Sequence, residues 1–419
     1  MKYGEAIRGE FPAFSVDYPV PLAFLDSAAS SLKCARVIDR ITRYLQHEHA
    51  NIHRGAYRLS ATATQNYEAA RAKVAQFIGA VDHAEVVFTK SATEAINLVA
   101  CGIQDFFKSR DAVLVSLLEH HSNIVPWQLL AERRGLSLEF VNITPRAELD
   151  LDDLRKKLTS LRPRVLAVTW ISNAFGTVVP IKEVISLAKE VGTLVVVDAT
   201  QVPAHQCIDV AELDVDFLVF SGHKIYGPTG IGILYAKRHH LEEMVPYQGG
   251  GEMISTVTTA GSTWAEVPAK FEAGTPPIAE AIALGTTIDF LEDLNLPELS
   301  IYEHSLFEHA WHELSKEPGV TLYGPHCAGA HSEGVHSTDA YQQSGVIAFN
   351  IEGVHPHDFA TIADEKHNVQ VRAGHHCAMP ALTHLGLTAT CRASIGAYTT
   401  EQDFAALRAA IRDARALLG

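Results

Sequence analysis

Residues Phe217–Tyr226 read FLVFSGHKIY, four apolar residues followed by a small polar turn and a lysine. An uninterrupted apolar run of this length reads as a strand buried on both faces. A lysine just past a strand end is an exposed residue in most proteins. Here apolar runs enclose it, and Gly227, Gly230 and Gly232 let backbone pass closely. A lysine held partly out of water has a lowered pKa and becomes a useful amine for a Schiff base. Lys224 is therefore the first candidate residue.

Working outward, Asp198 closes the apolar run Val195–Val197 and precedes Lys224 by about one helix and one strand, the spacing of a βαβ unit. A carboxylate there can pair with a protonated ring nitrogen; the common alternative is an aspartate capping the next helix. Similar runs occur at Glu85–Phe88, Ala112–Val115 and Val165–Val168, with helical patterns between them. This alternation predicts an α/β fold with a mainly parallel sheet. Ligands of such sheets sit beyond the carboxyl ends of the strands. Asp198, Lys224, Asn173 and His121 all fall there, which points to one shared site. Thr89–Asn97 (TKSATEAIN) is a strand-to-helix turn able to hold an anion, with Thr93 at its mouth; an ordinary N-cap is the alternative.

From about Pro297 the character changes. A helix is expected over Glu298–Leu314, a strand over Val346–Phe349, a polar loop around Gly374, and a final helix over Glu401–Leu418. We read residues 15–296 as a large domain, and 1–14 with 297–419 as a smaller α+β domain. Cys377 lies in RAGHHCAMP (Arg372–Pro380), beside His375 and His376. Cationic or polarising neighbours raise a thiol's thiolate fraction. A buried inert cysteine is the usual alternative, and is the reading given to Cys391.

Composition narrows the function. With 34 Lys and Arg against 49 Asp and Glu, the net charge is −15, so nucleic-acid binding is not expected. No apolar stretch is long enough to span a membrane, and the opening MKYGEAIRGEF lacks the apolar core of a secretory signal. Six cysteines without CxxC spacing suit a reducing, cytoplasmic setting. The stretch His326–Gly345 has no periodicity. Its His326, Cys327, His331 and His336 match no ordered zinc pattern, so no metal is expected.

Seven motifs together resemble the class V aminotransferase-fold cysteine desulfurases, most closely the SufS-type (group II, NifS-like) enzymes. They are NIHRGAYRLSA (Asn51–Ala61), EHHSNIVPWQ (Glu119–Gln128), SNAFGTVVPI (Ser172–Ile181), VDATQ (Val197–Gln201), SGHKIYGPTGIG (Ser221–Gly232), FEAGTP (Phe271–Pro276) and RAGHHCAMP. The resemblance begins at LDSAASSLK (Leu25–Lys33) and runs nearly end to end. It implies the fold type I of pyridoxal 5'-phosphate (PLP) transferases, with a seven-stranded sheet. It implies that Lys224 holds PLP covalently, Asp198 pairs with the ring nitrogen, Gln201 contacts the ring hydroxyl, and His121 stacks on the ring and shuttles a proton. Thr93, Ser221 and His223 would hold the phosphate, and Thr275 the phosphate of a neighbouring subunit, hence a homodimer. Asn173 and Arg392 are similar to substrate-carboxylate ligands, and Arg372 to a second arginine at the entrance.

The implied reaction converts L-cysteine to L-alanine and leaves a persulfide on Cys377. A small acceptor protein of SufE or SufU type would take the sulfur on, for iron–sulfur cluster assembly. A selenocysteine lyase, or another PLP-dependent lyase or aminotransferase on the same fold, is the alternative. Ala92 departs from the family, which usually has a hydroxyl or glycine there.

Overall fold

The protein is described by a computed structural model covering residues 2–108, 111–326 and 342–419. The central sheet has seven strands: β1 (Val86–Thr89), β2 (Ala112–Ser116), β3 (Ser137–Val141), β4 (Val165–Thr169), β5 (Leu194–Asp198), β6 (Phe217–Ser221) and β7 (Gly232–Ala236). Their spatial order is β1-β7-β6-β5-β4-β2-β3. All are parallel except β7, which runs antiparallel to both neighbours. The strand residues divide strictly between two cores. Val195, Val197, Leu218 and Phe220 pack on one face, and Val196, Phe217 and Val219 on the other. Two apolar faces on a pleated strand require an unbroken apolar run, which is why these strands are conspicuous in the sequence.

Helices cover both faces. The chief ones here are α1 (Arg58–Phe77), α2 (Ala92–Gly102), α3 (Val125–Arg134) and α4 (Ile278–Leu294). Helix α4 is apolar on nearly every side and correspondingly buried. It leads through Asn295 into α5 (Leu296–Ser315). Beyond α5, a second sheet comprises β8 (Val320–Tyr323), β9 (Val346–Ile351), β10 (Arg372–Gly374) and β11 (Thr390–Ser394), antiparallel in the order β8-β9-β11-β10. Helices α6 (Pro356–His367) and α7 (Glu401–Leu418) pack on it. Ala23–Phe24 pairs in parallel with Val369–Gln370, tying the N-terminal chain to this layer.

The polar loop expected around Gly374 is corrected: its first part is the edge strand β10, paired residue by residue with β11. Three residues are too few to show an alternation in sequence. The stretch read as loop over His326–Gly345 lies outside the described residues from 327 to 341. His326 stacks on Trp311 and contacts Glu308. No disulfide joins the described cysteines. Among the described residues there is no metal-binding cluster, and no helix is long and apolar enough to cross a membrane.

One buried ion pair fastens α1 to the sheet. Arg71 is bidentate to Glu272, at 2.6 and 2.9 Å, and Glu272 also accepts the Phe88 amide. Removing Glu272 takes the acceptor from one buried Arg71 Nη, while Glu68 (2.9 Å) and the Val86 carbonyl (2.9 Å) still accept from the rest of the guanidinium. Glu272→Ala should lower the unfolding free energy by roughly 3–5 kcal/mol, read as a fall in the urea midpoint.

Candidate active site

A cavity of about 200 Å³ opens at the carboxyl ends of β4, β5 and β6. Its walls come from both layers. Thr169, Asp198 and Ser221 end their strands there, Thr93 lies in the first turn of α2, and Arg372 and Arg392 enter from β10 and β11.

Lys224 sits in the short 3-10 turn that follows β6. That turn is fastened at the His223 carbonyl, which accepts from the Ser31 amide (3.1 Å) and from Lys33 Nζ (2.8 Å). Burial, then the nearby charge of Arg392, lowers the Lys224 amine to about 8. Asp198 is buried and its Oδ1 accepts the Thr200 amide at 2.9 Å. Burial raises its pKa, while the Thr200 bonds and the Lys224 charge pull it back. A carboxylate in such surroundings favours a cationic partner.

At the mouth of α2, the Ala92 amide donates to Ser221 Oγ (2.8 Å). The departure at Ala92 thus leaves its backbone engaged with a residue of the same cradle. Gly232 is required here, because a Cβ would come within 2.4 Å of the Ser91 backbone. His223 lines the cavity, and burial followed by the charges of Lys224 and Lys33 lowers it to about 4, so it is neutral. Gln201 donates to the Ala28 carbonyl (2.8 Å) and also faces the cavity.

Arg392 is almost wholly buried. One Nη donates to Asp26 (2.8 Å) and the other to the Asn173 carbonyl (2.8 Å), while Nε is buried with no partner among the described residues. An orphaned guanidinium N–H at a cavity is a ready donor for an anionic ligand. Asn173 Nδ2 donates to the His376 carbonyl (2.7 Å).

The histidine placement corrects the sequence expectation. His120, not His121, lines the cavity. The His120 ring is tied by its Nδ1 to Ser122 (2.8 Å to Oγ), and burial with the Lys224 charge lowers it to about 3. His121 begins the 3-10 turn, and its ring contacts the Cys377 segment instead. Which of two adjacent histidines faces a ligand depends on the turn's direction, which neither residue type encodes. Thr275 is exposed on the loop after Phe271 and is not in this wall. Cys377 does not line the cavity either, but Arg372 and His376 do, and an Arg372 Nη lies 3.9 Å from Cys377 Sγ. Cys391 is buried, as expected, and burial pushes its thiol up.

Sequence reading missed three partners: Asp26 on Arg392, the Ser31–Lys33 fastening of the His223 carbonyl, and buried Glu119, which accepts from the Thr169 amide (2.8 Å) and Asn123 Nδ2 (2.6 Å). Asp26 and Lys33 do lie in LDSAASSLK, whose polar residues in an apolar setting were the available signal. Taken together, a lone amine, a buried carboxylate, an anion cradle at a helix start and flat neutral imidazoles fit PLP.

Residues 23–407 match the family Aminotransferase class-V. The chain is 43% identical over 419 residues to "Cysteine desulfurase" of Salmonella agona, covering 99% of each. It is 42% identical over 400 residues to "Probable cysteine desulfurase" of Halalkalibacterium halodurans, covering 95% of this chain and 94% of the other. Among solved structures it resembles the cysteine desulfurase CsdA of Escherichia coli (TM-score 0.88, 36% identity, 99% and 98% covered). It also resembles the apo cysteine desulfurase of Thermococcus onnurineus (TM-score 0.89, 37% identity, 99% of each). With this match across most of its length, the chain belongs to the class V aminotransferase family.

Proposed function

We propose that the protein is a PLP-dependent cysteine desulfurase, converting L-cysteine to L-alanine and taking the sulfur as a persulfide on Cys377. The observation that carries this reading is Arg372, which lines the Lys224 cavity and also contacts the Cys377 sulfur. The curated relatives' names support it.

When bound, PLP supplies the electron sink that makes the substrate α-proton removable. Lys224 anchors it and, once free, its Nζ takes that proton. Asp198 would keep the ring nitrogen charged, Gln201 would meet the ring hydroxyl, and His120 would cover the ring face. Thr93, Ser221 and His223 would hold the phosphate. Arg392 Nε and Asn173 orient the substrate carboxylate, with Arg372 at the entrance. The Cys377 thiolate then attacks the substrate sulfur. A sulfur–sulfur bond forms, the substrate carbon–sulfur bond breaks with its electron pair on carbon, and that carbon gains a proton. The sum is thiol plus cysteine giving persulfide plus alanine, with no external oxidant.

The reading includes a homodimer in which Thr275 serves the neighbour's phosphate. The exposed hairpin of Ile254–Thr258 and Gly261–Trp264, with Val257 and Trp264 in water, supports it, since a lone two-stranded ribbon is marginal. The division at residues 296 and 297, a SufE- or SufU-type acceptor, iron–sulfur cluster assembly and a cytoplasmic setting belong to the same proposal.

The test is incubation with L-cysteine, and in parallel L-selenocysteine, measuring alanine. Alanine from cysteine equal to sulfur transferred supports the reading; none from cysteine rejects it. A pH prediction follows from Lys224. Only the neutral amine attacks a carbonyl, so PLP loading of the cofactor-free protein should speed up as pH rises through about 8. Below that point the rate should fall roughly tenfold per pH unit. Loading followed by visible absorbance checks it; a flat profile from pH 6 to 9 contradicts it.

A further inference from the structure

The Cys377 turn is held from outside its own layer. Cys377 belongs to the segment between β10 and the six-residue helix Met379–His384, yet three of its bonds come from residues beyond β2 and β4. The His121 amide donates to the Cys377 carbonyl (2.7 Å). The Met379 amide donates to His121 Nε2 (3.1 Å). Asn173 Nδ2 donates to the His376 carbonyl (2.7 Å). Within the turn, the Cys377 amide donates to His375 Nδ1 (3.2 Å), and the His375 ring lies 5.5 Å from that of His121.

The turn needs such support. His376 and Cys377 are consecutive L-residues in the left-handed region, with φ 52° and 55°. That pairing is uncommon and persists only where the surroundings hold it. The Met379 amide is also the first N–H of a helix, which has no partner inside that helix. His121 supplies one, and its Nε2 accepts there only while unprotonated.

We propose that His121 is a positioning residue for the nucleophile: by accepting the Met379 amide at Nε2 it locks the turn that aims Cys377 at the cavity. The inference rests on the desulfurase reading, and it gives His121 a task distinct from cofactor contact, which falls to His120. Asn173 clamps the other side of the turn, so losing His121 loosens the sulfur rather than releasing the loop. Misplacing a reacting atom by about 1 Å can cost up to 100-fold in rate.

The test compares three variants of the PLP-loaded enzyme. His121→Phe keeps the ring against His375 but removes the acceptor, His121→Ala removes both, and His121→Gln restores an acceptor oxygen. Rapid mixing with L-cysteine reads two events: the visible absorbance change as substrate engages the Lys224-bound cofactor, and persulfide formation on Cys377. The first should match the parent in all three, and unfolding midpoints confirm the fold. The second should slow about tenfold or more in His121→Phe and His121→Ala, and recover to within about threefold in His121→Gln. Unchanged persulfide rates in His121→Phe and His121→Ala would overturn the proposal. So would an equal loss of the absorbance step, which would place His121 at the cofactor. No persulfide in the parent enzyme would overturn the desulfurase reading itself, and the latch with it.

Discussion

Lys224→Ala should leave a folded protein with no measurable conversion of L-cysteine. In the proposed mechanism the amine serves twice, as the cofactor's anchor and as the base at the substrate α-carbon, and alanine can do neither. Loss of proton transfer alone accounts for roughly 10²–10⁴ in rate, and loss of the anchor adds to it. Lys224→Arg should fail nearly as completely, although it keeps the positive charge. A guanidinium stays protonated and offers no lone pair, whereas burial lowers the Lys224 amine to about 8. Alanine release per enzyme is the measurement. If Lys224→Arg retained a tenth or more of parental turnover, the site would need a different base.

Cys377→Ala should separate the two halves of the chemistry. Nothing in the cavity wall is removed, because Cys377 lies beside it rather than in it. PLP loading and the visible response to L-cysteine should therefore survive. Steady alanine release should fall at least about 100-fold, the order expected when a reacting group loses its placement beside the substrate. Cys391→Ala should do far less to catalysis, since that thiol is buried, has its pKa raised and donates to the Pro356 carbonyl. Normal alanine release by Cys377→Ala would remove the thiol from the mechanism.

The sequence disclosed the middle of the molecule better than its margins, for a physical reason. Strands β1, β2, β4, β5 and β6 are apolar up to a single polar residue at the carboxyl end because both faces are covered, and their runs are legible without any partner. Strand β3, SLEFV, is a partly exposed edge whose mixed pattern resembles a loop. Strand β7, GILYA, follows a glycine-rich turn and is the sheet's antiparallel member, which no βαβ spacing announces. Long-range pairs were hidden for another reason. Asp26 and Arg392 lie at opposite ends of the chain and meet only because Ala23–Phe24 is carried into the C-terminal layer. The mistaken face of the two histidines shows the same limit on a smaller scale. Glu119, His120 and His121 are adjacent, yet one is buried under the sheet end, one faces the cavity and one grips the Cys377 turn.

The most direct test of the account is a single turnover with less L-cysteine than enzyme, followed by peptide mapping under non-reducing conditions. The account predicts one added sulfur on the peptide carrying Cys377, none on those carrying Cys34, Cys101, Cys207, Cys327 or Cys391, and one alanine released per persulfide. Sulfur found elsewhere, or free sulfide matching alanine while Cys377 stays unmodified throughout, would contradict it.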